Sequence, residues 1–196
     1  MKSKLLTLVF CAALAGFSTS ASAVNLVANG GFETGDFTSW THFGGVDSED
    51  GVCNNACPHS GTFGASFGTL FSDSGITQDI VTVPGAHYTV SFWFRNRELG
   101  EGISNDVLIS FGGATLTSGT NVSPFLYTLF SFDAVANSTS STLSFSFRNQ
   151  PSFFNLDDVT VEAAATPLPA ALPLFASGGA LLGFLGWRRK RKLAGL

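Results

Sequence analysis

Alternating apolar and polar residues fill the middle of the chain, and the clearest run extends over residues 87–96. Its even positions are large and apolar, namely Tyr88, Val90, Phe92 and Phe94. Its odd positions are polar or amphipathic, namely Thr89, Ser91, Trp93 and Arg95. A period of two is the period of a β-strand with one buried face. Residues 142–148 repeat this pattern, with Leu143, Phe145 and Phe147 predicted to point inward.

Further strands are predicted by shorter apolar and β-branched runs at residues 25–29, 38–43, 62–68, 76–83, 106–111, 125–135 and 153–161. Gly, Pro, Asn and Ser interrupt these runs at short intervals, as turns between strands require. No segment of residues 24–165 has a helical period. About nine short strands with Phe-rich inner faces predict an all-β fold, an antiparallel β-sandwich of jelly-roll type.

The first 23 residues follow a different pattern. Lys2 and Lys4 precede an apolar stretch over residues 5–17, and small residues end the segment at Ala21-Ser22-Ala23. A positive start, a short apolar centre and a small-x-small end are typical of a cleaved signal peptide. We therefore expect residues 1–23 to be removed and the mature chain to begin at Val24, outside the cytoplasm.

The last 31 residues combine an apolar run with a basic cluster. Residues 168–187 form an uncharged stretch of 20 residues, followed at once by five basic residues at 188–192. About 20 apolar residues suffice for a helix to cross a bilayer core. Positive clusters beside a span stay on the cytoplasmic side. The pattern predicts one transmembrane helix, with the folded domain outside and the basic tail inside.

Residues 166–170 read TPLPA, just before this apolar stretch. The motif Pro167, Leu168, Pro169 and Ala170, the short span and the terminal basic cluster together resemble the PEP-CTERM class of sorting signals. The similarity is greatest to the VPLPA variant, with Thr166 in place of its first Val. The resemblance implies a Gram-negative bacterium that makes exopolysaccharide, and a membrane-embedded exosortase that cuts the tail near this motif. The product would leave the inner membrane for the cell surface or matrix. Permanent anchoring by the helix is the alternative.

Removing both terminal signals changes the charge of the protein. Residues 24–165 comprise 142 residues, the size of one domain. They contain three arginines and all 14 acidic residues, a formal net charge of −11, against −4 for the whole chain. Such an acidic surface disfavours nucleic acids and anionic membranes as partners. It permits cation binding and favours solubility.

Two motifs stand at the ends of this domain. NGGFE occupies residues 29–33 and FNLDDV occupies residues 154–159. The pair resembles the opening and closing motifs of galactose-binding-like jelly rolls, a group that includes many carbohydrate-binding modules. The resemblance implies that the first and last strands meet and that a structural calcium ion lies there. Glu33 and Asp157 would supply carboxylates, with Asp158 as the alternative partner. Otherwise Glu33 faces water and Asp157 accepts backbone hydrogen bonds.

Carbohydrate-binding modules stack sugars on exposed aromatic rings and read hydroxyl groups with nearby polar side chains. Trp93 shares the polar face of its strand with Arg95, and is therefore the candidate platform. Asn96 and Arg148 are candidate hydrogen-bonding partners from strand ends. The alternative is that Trp93 fills a second core face. The expected partner in the first case is an extracellular polysaccharide.

The chain has three cysteines, of which Cys11 lies in the predicted signal peptide. Cys53 and Cys57 remain in an oxidising compartment, so we expect a disulfide between them. A zinc site lacks histidines at suitable spacing, and a redox-active pair has the spacing CxxC rather than CxxxC.

The motifs HExxH and the P-loop are missing from the sequence. We therefore expect a non-catalytic surface or matrix protein that binds glycan. A purely structural or adhesive protein is the close alternative, and a secreted glycoside hydrolase that uses two of the clustered carboxylates is the distant one.

Overall fold

A computed structural model describes residues 23–44, 49–69, 72–97, 104–149 and 152–164. These residues form ten β-strands and contain no helix. In chain order the strands are β1 (Thr41–Phe43), β2 (Gly51–Cys53), β3 (Gly64–Phe67), β4 (Ser74–Val81), β5 (His87–Asn96), β6 (Asn105–Phe111), β7 (Ala114–Thr120), β8 (Phe125–Val135), β9 (Ser140–Asn149) and β10 (Phe154–Ala163). Within this described part, no helix is present that could cross a membrane.

The strands form two five-stranded sheets. Sheet one has the order β1-β4-β9-β6-β7, and sheet two has the order β2-β3-β10-β5-β8. Every pairing between neighbouring strands is antiparallel. The predicted antiparallel β-sandwich is therefore confirmed, with ten strands in the described residues rather than about nine.

The predicted strand at residues 25–29 is wrong. Only Asn25 makes an isolated bridge, to Glu162, and Asn29 has a left-handed φ of 52° at the start of a turn. Two strands were not predicted. The strand β2 has only three residues, and β7 is an edge strand whose exposed positions include both faces. The predicted signal peptide, apart from its last residue, Ala23, and the whole predicted sorting tail lie outside the described residues.

Phenylalanine side chains from both sheets fill the core. Phe92 meets Phe145 of the facing sheet edge-on, with ring centroids 5.2 Å apart. Phe94 lies between Phe147, at 5.4 Å, and Phe154, at 5.1 Å. These rings are between 0% and 3% exposed. Each buried phenylalanine contributes about 1.5–3 kcal/mol relative to an exposed one, so this cluster holds the two sheets together.

The N-terminal segment runs beside β10, the last strand. Leu26 donates its amide proton to the carbonyl of Val161 at 2.8 Å, and Val159 donates to the carbonyl of Gly30 at 2.9 Å. A Cβ atom on Gly30 would lie 2.1 Å from the Val159 oxygen, so a side chain has no room there. The two ends of the domain therefore meet through backbone contacts, and Glu33 is brought close to β10.

Candidate functional site

A loop over residues 54–63, here called the covering loop, folds across the outer face of sheet two. It begins at β2 and ends before β3. A disulfide joins Cys53 to Cys57, whose Cα atoms are 5.7 Å apart. The disulfide closes the first turn of the loop, and Cys57 is buried. The outer face of β5, which carries Trp93 and Arg95, lies beneath the loop.

Asp157 and Asp158, at the centre of β10, bind the covering loop. One carboxylate oxygen of Asp157 accepts hydrogen bonds from the amides of His59, at 2.7 Å, and Ser60, at 3.1 Å. Asp158 accepts a bond from the Ser60 hydroxyl at 2.7 Å and contacts Nδ1 of the His59 ring at 2.7 Å. Two adjacent carboxylates thus fix two adjacent loop residues.

Glu33, from the N-terminal turn, binds the other half of the loop. Its carboxylate accepts the amide protons of Thr62, at 2.9 Å, and Phe63, at 3.2 Å. Carboxylates from both ends of the domain therefore hold one loop in place. Hydrogen bonds to charged groups each contribute about 1.5–3 kcal/mol when they are protected from water. The bonds of Asp157 are partly buried, whereas those of Glu33 are exposed and contribute less.

Asp157 is fully buried, and burial raises the pKa of its carboxyl group to about 6. Hydrogen bonds from the amides of Ser60, His59 and Asp158 oppose this rise, whereas the charge of Asp158 adds to it. Burial therefore destabilises the ionised form of Asp157 relative to its protonated form.

The three carboxylates predicted to bind calcium lie around Gly31. A Cβ atom placed on Gly31 would be 3.8 Å from Oδ1 of Asp158 and 3.9 Å from Oδ1 of Asp157, with Cγ of Glu33 at 3.8 Å. Among the described residues, His59 is their only basic partner. Their charge suits a divalent cation. Their oxygens, however, point to N–H and O–H donors, and no group of three metal-ligating side chains in the described ranges is arranged to hold an ion.

Trp93 lies on the outer face of β5 and is half-buried. The His59 ring stacks on it, with ring centroids 3.8 Å apart and planes 14° apart. Tyr127 of β8 meets the same His59 ring edge-on at 5.2 Å. Trp93 is therefore neither buried between the sheets nor an open platform, because a loop residue covers it.

Arg95, two residues further along β5, is engaged by three partners. Its Nη2 atom donates to Oδ1 of Asn155 at 2.7 Å and to the carbonyl of Ala56 in the covering loop. Its guanidinium carbon is 4.8 Å from the centre of the Tyr127 ring. Burial lowers the pKa of Arg95 and raises the pKa of Tyr127. Arg95 therefore holds the loop and β8 together.

Asn96 points between the sheets and is 2% exposed. Its side-chain amide donates to the Val122 carbonyl at 2.7 Å, and its oxygen accepts from Asn149 at 3.0 Å. Asn105 also holds Val122, with bonds of 2.8 and 3.0 Å. These asparagines close one end of the sandwich, so Asn96 does not reach the outer face.

Arg148 lies on the outer face of sheet one, opposite Asp106 in the register of β9 and β6. The Arg148 guanidinium forms an ion pair with Asp106, and its second nitrogen is 3.7 Å from Asp73. The Arg148 side chain is 37% exposed. Its two acidic partners lie at the wall of a groove of about 400 Å³. The remaining lining residues are Val107, Leu108, Ser118, Gly119, Thr120, Ser146 and Phe147.

The four residues predicted to bind a glycan therefore fall in three places. Trp93 and Arg95 share the outer face of sheet two, Asn96 lies between the sheets, and Arg148 lies on the outer face of sheet one. His59, Tyr127, Asp73 and Asp106 were not predicted to take part in either outer face. Their contacts join residues that are far apart in the sequence, so a local sequence pattern does not predict them.

Protein-family profiles and curated proteins give no match to this chain. Solved structures do match its fold. A family 61 carbohydrate-binding module, solved in complex with β-1,4-galactotriose, is 18% identical with a TM-score of 0.52, covering 72% of this chain and 100% of the module.

Two further structures have the same fold. The CBM22-1–GH10 part of xylanase 10B from Clostridium thermocellum, solved with xylohexaose, is 20% identical with a TM-score of 0.53. The match covers 72% of this chain and only 29% of that one. The K1 adhesin domain of Lys-gingipain from Porphyromonas gingivalis W83 is 14% identical with a TM-score of 0.54, over 69% and 96% of the two chains. The fold is thus that of carbohydrate-binding and adhesin domains.

Proposed function

We propose that this protein is a non-catalytic, exported component of the cell surface or exopolysaccharide matrix, and that it binds glycan in the groove beside Arg148. The groove itself is the main support for glycan binding at this face. It offers about 400 Å³ on an exposed sheet face, with paired charges and hydroxyl groups along its walls. Sugars are recognised by such polar groups in a concave site.

The groove is a better glycan site than the face beneath the covering loop. Residues of the covering loop, His59 and Ala56, contact Trp93 and Arg95, so neither side chain faces an open surface. Arg148 keeps more than a third of its side chain exposed. Ser118 and Ser146 oppose Leu108 on its two sides, which places their hydroxyl groups along one sheet surface.

The fold similarity supports this proposal, because two of the matched structures were solved with bound oligosaccharides. A hydrolase is less well supported. In the described residues, Asp73 and Asp106 are both ion-paired with Arg148, and Asp157 is buried and bound by amides. General acid–base chemistry needs carboxylates that can reach a substrate.

A structural or adhesive role is the second candidate. The match to an adhesin domain favours it, since that match has the same fold over 69% of this chain. In this case the groove would be incidental, and contacts between protein molecules would provide the function. The two candidates make different predictions, because only glycan binding requires Arg148.

We infer the export route from the sequences of the two termini, which lie outside the described residues apart from Ala23. We propose that residues 1–23 are cleaved and that an exosortase cuts near Pro167–Ala170 after residues 168–187 have entered the inner membrane. Intact mass measurement of the protein from its host tests this. A chain from Val24 to the PLPA motif is expected. A chain that still ends at Leu196 would show a permanent anchor instead.

Calcium is a further proposal for the three carboxylates around Gly31. Glu33, Asp157 and Asp158 would hold the ion, which would neutralise their charge and tie the two ends of the domain together. The present hydrogen bonds of these residues to the covering loop provide the same tie without an ion.

Retention in affinity gels that contain polysaccharides tests the glycan proposal. The exported protein is expected to be retarded by at least one polysaccharide. Arg148→Ala should reduce the affinity about tenfold, or about 1.4 kcal/mol, because Arg148 holds Asp106 and Asp73, which line the groove. Trp93→Ala is the matched control from the other face and should leave retention within about twofold of wild type. Loss of retention in Trp93→Ala alone would place the glycan on sheet two.

A further inference from the structure

An apolar cavity of about 170 Å³ lies between the two sheets, at the side where β7 and β8 are the edge strands. Strands β5 and β8 line it from sheet two, and β6 and β7 line it from sheet one. Its innermost residues, Phe92, Phe94 and Ile109, are at most 3% exposed. Phe125 and Phe130 of β8 are half-buried, so the cavity opens to solvent beside the edge strands.

The connection between β7 and β8 fixes one wall of this cavity through Val122. The amide of Val122 donates to the side-chain oxygen of Asn105 at 2.8 Å. Its carbonyl accepts from the side-chain amides of Asn96, at 2.7 Å, and Asn105, at 3.0 Å. The wall is therefore held in place without a ligand, and such preorganisation lowers the entropic cost of binding.

The cavity adjoins the groove beside Arg148. Val107, Ser118 and Gly119 line both spaces. Val107 lies opposite Gly119 in the register of β6 and β7, and Leu108 lies opposite Ser118. Successive side chains of a strand point to opposite faces, so Val107 faces the cavity side and Ser118 faces the groove side. Only the edge of sheet one thus separates a polar site from an apolar one.

We propose that this cavity holds a short acyl chain of a glycan whose sugar lies in the groove beside Arg148. The inference rests on the proposed function, because the groove is the sugar site. An apolar cavity of about 150 Å³ accommodates one benzene molecule, so a chain of about six carbon atoms matches the cavity in size. The apolar walls disfavour the sugar itself, because hydroxyl groups buried without partners cost free energy.

Charge favours an acyl chain that is joined to a sugar over a free fatty acid. Residues 24–165 have a formal net charge of −11, and Asp73 and Asp106 lie in the adjoining groove. These charges repel the carboxylate of a fatty acid. An acyl chain in an ester or amide linkage is neutral, and a sugar bound in the groove raises its local concentration at the cavity. An acylated glycan therefore matches both spaces, whereas a fatty acid matches only the cavity.

NMR titration of the isotopically labelled, exported protein tests the proposal with neutral ligands. The hexyl β-glycosides of glucose, galactose and xylose carry a chain that stands in for the acyl chain. The methyl β-glycosides of the same sugars are the matched ligands without it. Each buried methylene group raises affinity about fourfold, so at least one hexyl glycoside should bind about tenfold more tightly than its methyl partner. Its binding should shift the amide signals of Val122 and Phe130 as well as that of Ser146.

Two substitutions on β7 locate the chain. Thr117 lines the cavity and lies opposite Ile109, so Thr117→Phe places a ring inside the cavity. This variant should bind the hexyl and methyl glycosides equally. Thr115→Phe is the matched control, because Thr115 is exposed on the same strand and outside the lining of the cavity. The control should keep the preference for the hexyl chain, and Arg148→Ala should weaken binding of both ligands.

Equal affinities of the hexyl and methyl glycosides for the wild-type protein would overturn the inference without any variant. Retention of the protein in polysaccharide gels would then still support the proposed function. Loss of the preference in Thr115→Phe as well as in Thr117→Phe would also overturn the inference. A hexyl glycoside that shifts only cavity signals and is insensitive to Arg148→Ala would overturn it too, and would count against the groove as the sugar site.

Discussion

The imidazole ring of His59 lies flat on the indole ring of Trp93, with centroids 3.8 Å apart. Asp158 holds the same imidazole at 2.7 Å, so the stack joins the covering loop to two strands of sheet two. This contact decides which outer face is available to a ligand. It covers the residue that the sequence favours as a sugar platform, and it leaves the groove beside Arg148 open.

Loss of this stack should weaken the domain measurably. His59→Ala removes an aromatic pair and a bond to Asp158, so the free energy of unfolding should fall by about 1–2 kcal/mol. Urea denaturation measures this change. His87→Ala is the control, because His87 is exposed at the start of β5 and should change stability by less than about 0.5 kcal/mol. Equal effects of the two substitutions would contradict the structural role of His59.

Gly30 should tolerate no side chain. A Cβ atom there would lie 2.1 Å from the Val159 oxygen, against the backbone of β10. Gly30→Ala should therefore lower the free energy of unfolding by about 1–3 kcal/mol, the usual cost of overpacking. Gly51→Ala is the matched control, because its Cβ atom would have no neighbour within 4 Å. A stable Gly30→Ala variant would show that the N-terminal segment does not lie against β10.

The Asp157 carboxyl group should impose a recognisable pH dependence on stability. Its folded pKa of about 6 exceeds the ordinary value of 3.8, so the folded protein binds the extra proton between these two pH values. Its contribution to the free energy of unfolding is therefore lost as pH rises through that range. Asp36 acts in the opposite direction, because hydrogen bonds from Thr38 and Thr34 lower its pKa.

Comparison with Asp157→Asn isolates this contribution. The wild-type-minus-variant difference in the free energy of unfolding should decline from about pH 4 to pH 6 and be flat at higher pH. The two proteins are unfolded in urea at each pH. A difference that rises with pH, or that does not change, would mean that Asp157 is not desolvated in the folded protein.

Calcium should raise the melting temperature if the carboxylates around Gly31 bind it. Binding to the folded state alone stabilises a protein by mass action. We expect a rise of several degrees in millimolar calcium, its reversal by a chelator, and its loss in Glu33→Gln. Asp133→Asn removes a carboxylate of β8 that is remote from Glu33 in the sequence. This variant should keep the rise in melting temperature. Equal melting temperatures in calcium and chelator would show that the folded protein binds no calcium ion at these carboxylates.

The alternation of residues predicts which side chains point inward but not which sheet they belong to. Phe92, Phe145 and Phe147 are buried as the period of two predicts. Trp93 and Arg148 both point outward, yet they belong to opposite sheets, because their strands β5 and β9 have different neighbours. Strand order is a long-range property, so the pattern within one strand does not contain it. This is why the predicted ligand residues do not form one site.

The path of the covering loop also cannot be predicted from local sequence patterns. It is held by Glu33 near the start of the domain and by Asp157 and Asp158 near its end. The sequence places these carboxylates together only through a resemblance of the two terminal motifs. The stacking of His59 on Trp93 further depends on the path of the loop, which no periodicity specifies. The edge strand β7 was not predicted because its sequence, ATLTSGT, has no continuous face of apolar residues.

Mapping a bound glycan by NMR would show directly which face of the protein binds it. The isotopically labelled protein is titrated with a polysaccharide that retards it in affinity gels. The groove account predicts progressive shifts of the amide signals of Leu108, Ser118, Ser146 and Arg148, with those of Trp93 and Arg95 unchanged. Shifts confined to Trp93, Arg95 and the covering loop would contradict it and place the glycan on sheet two.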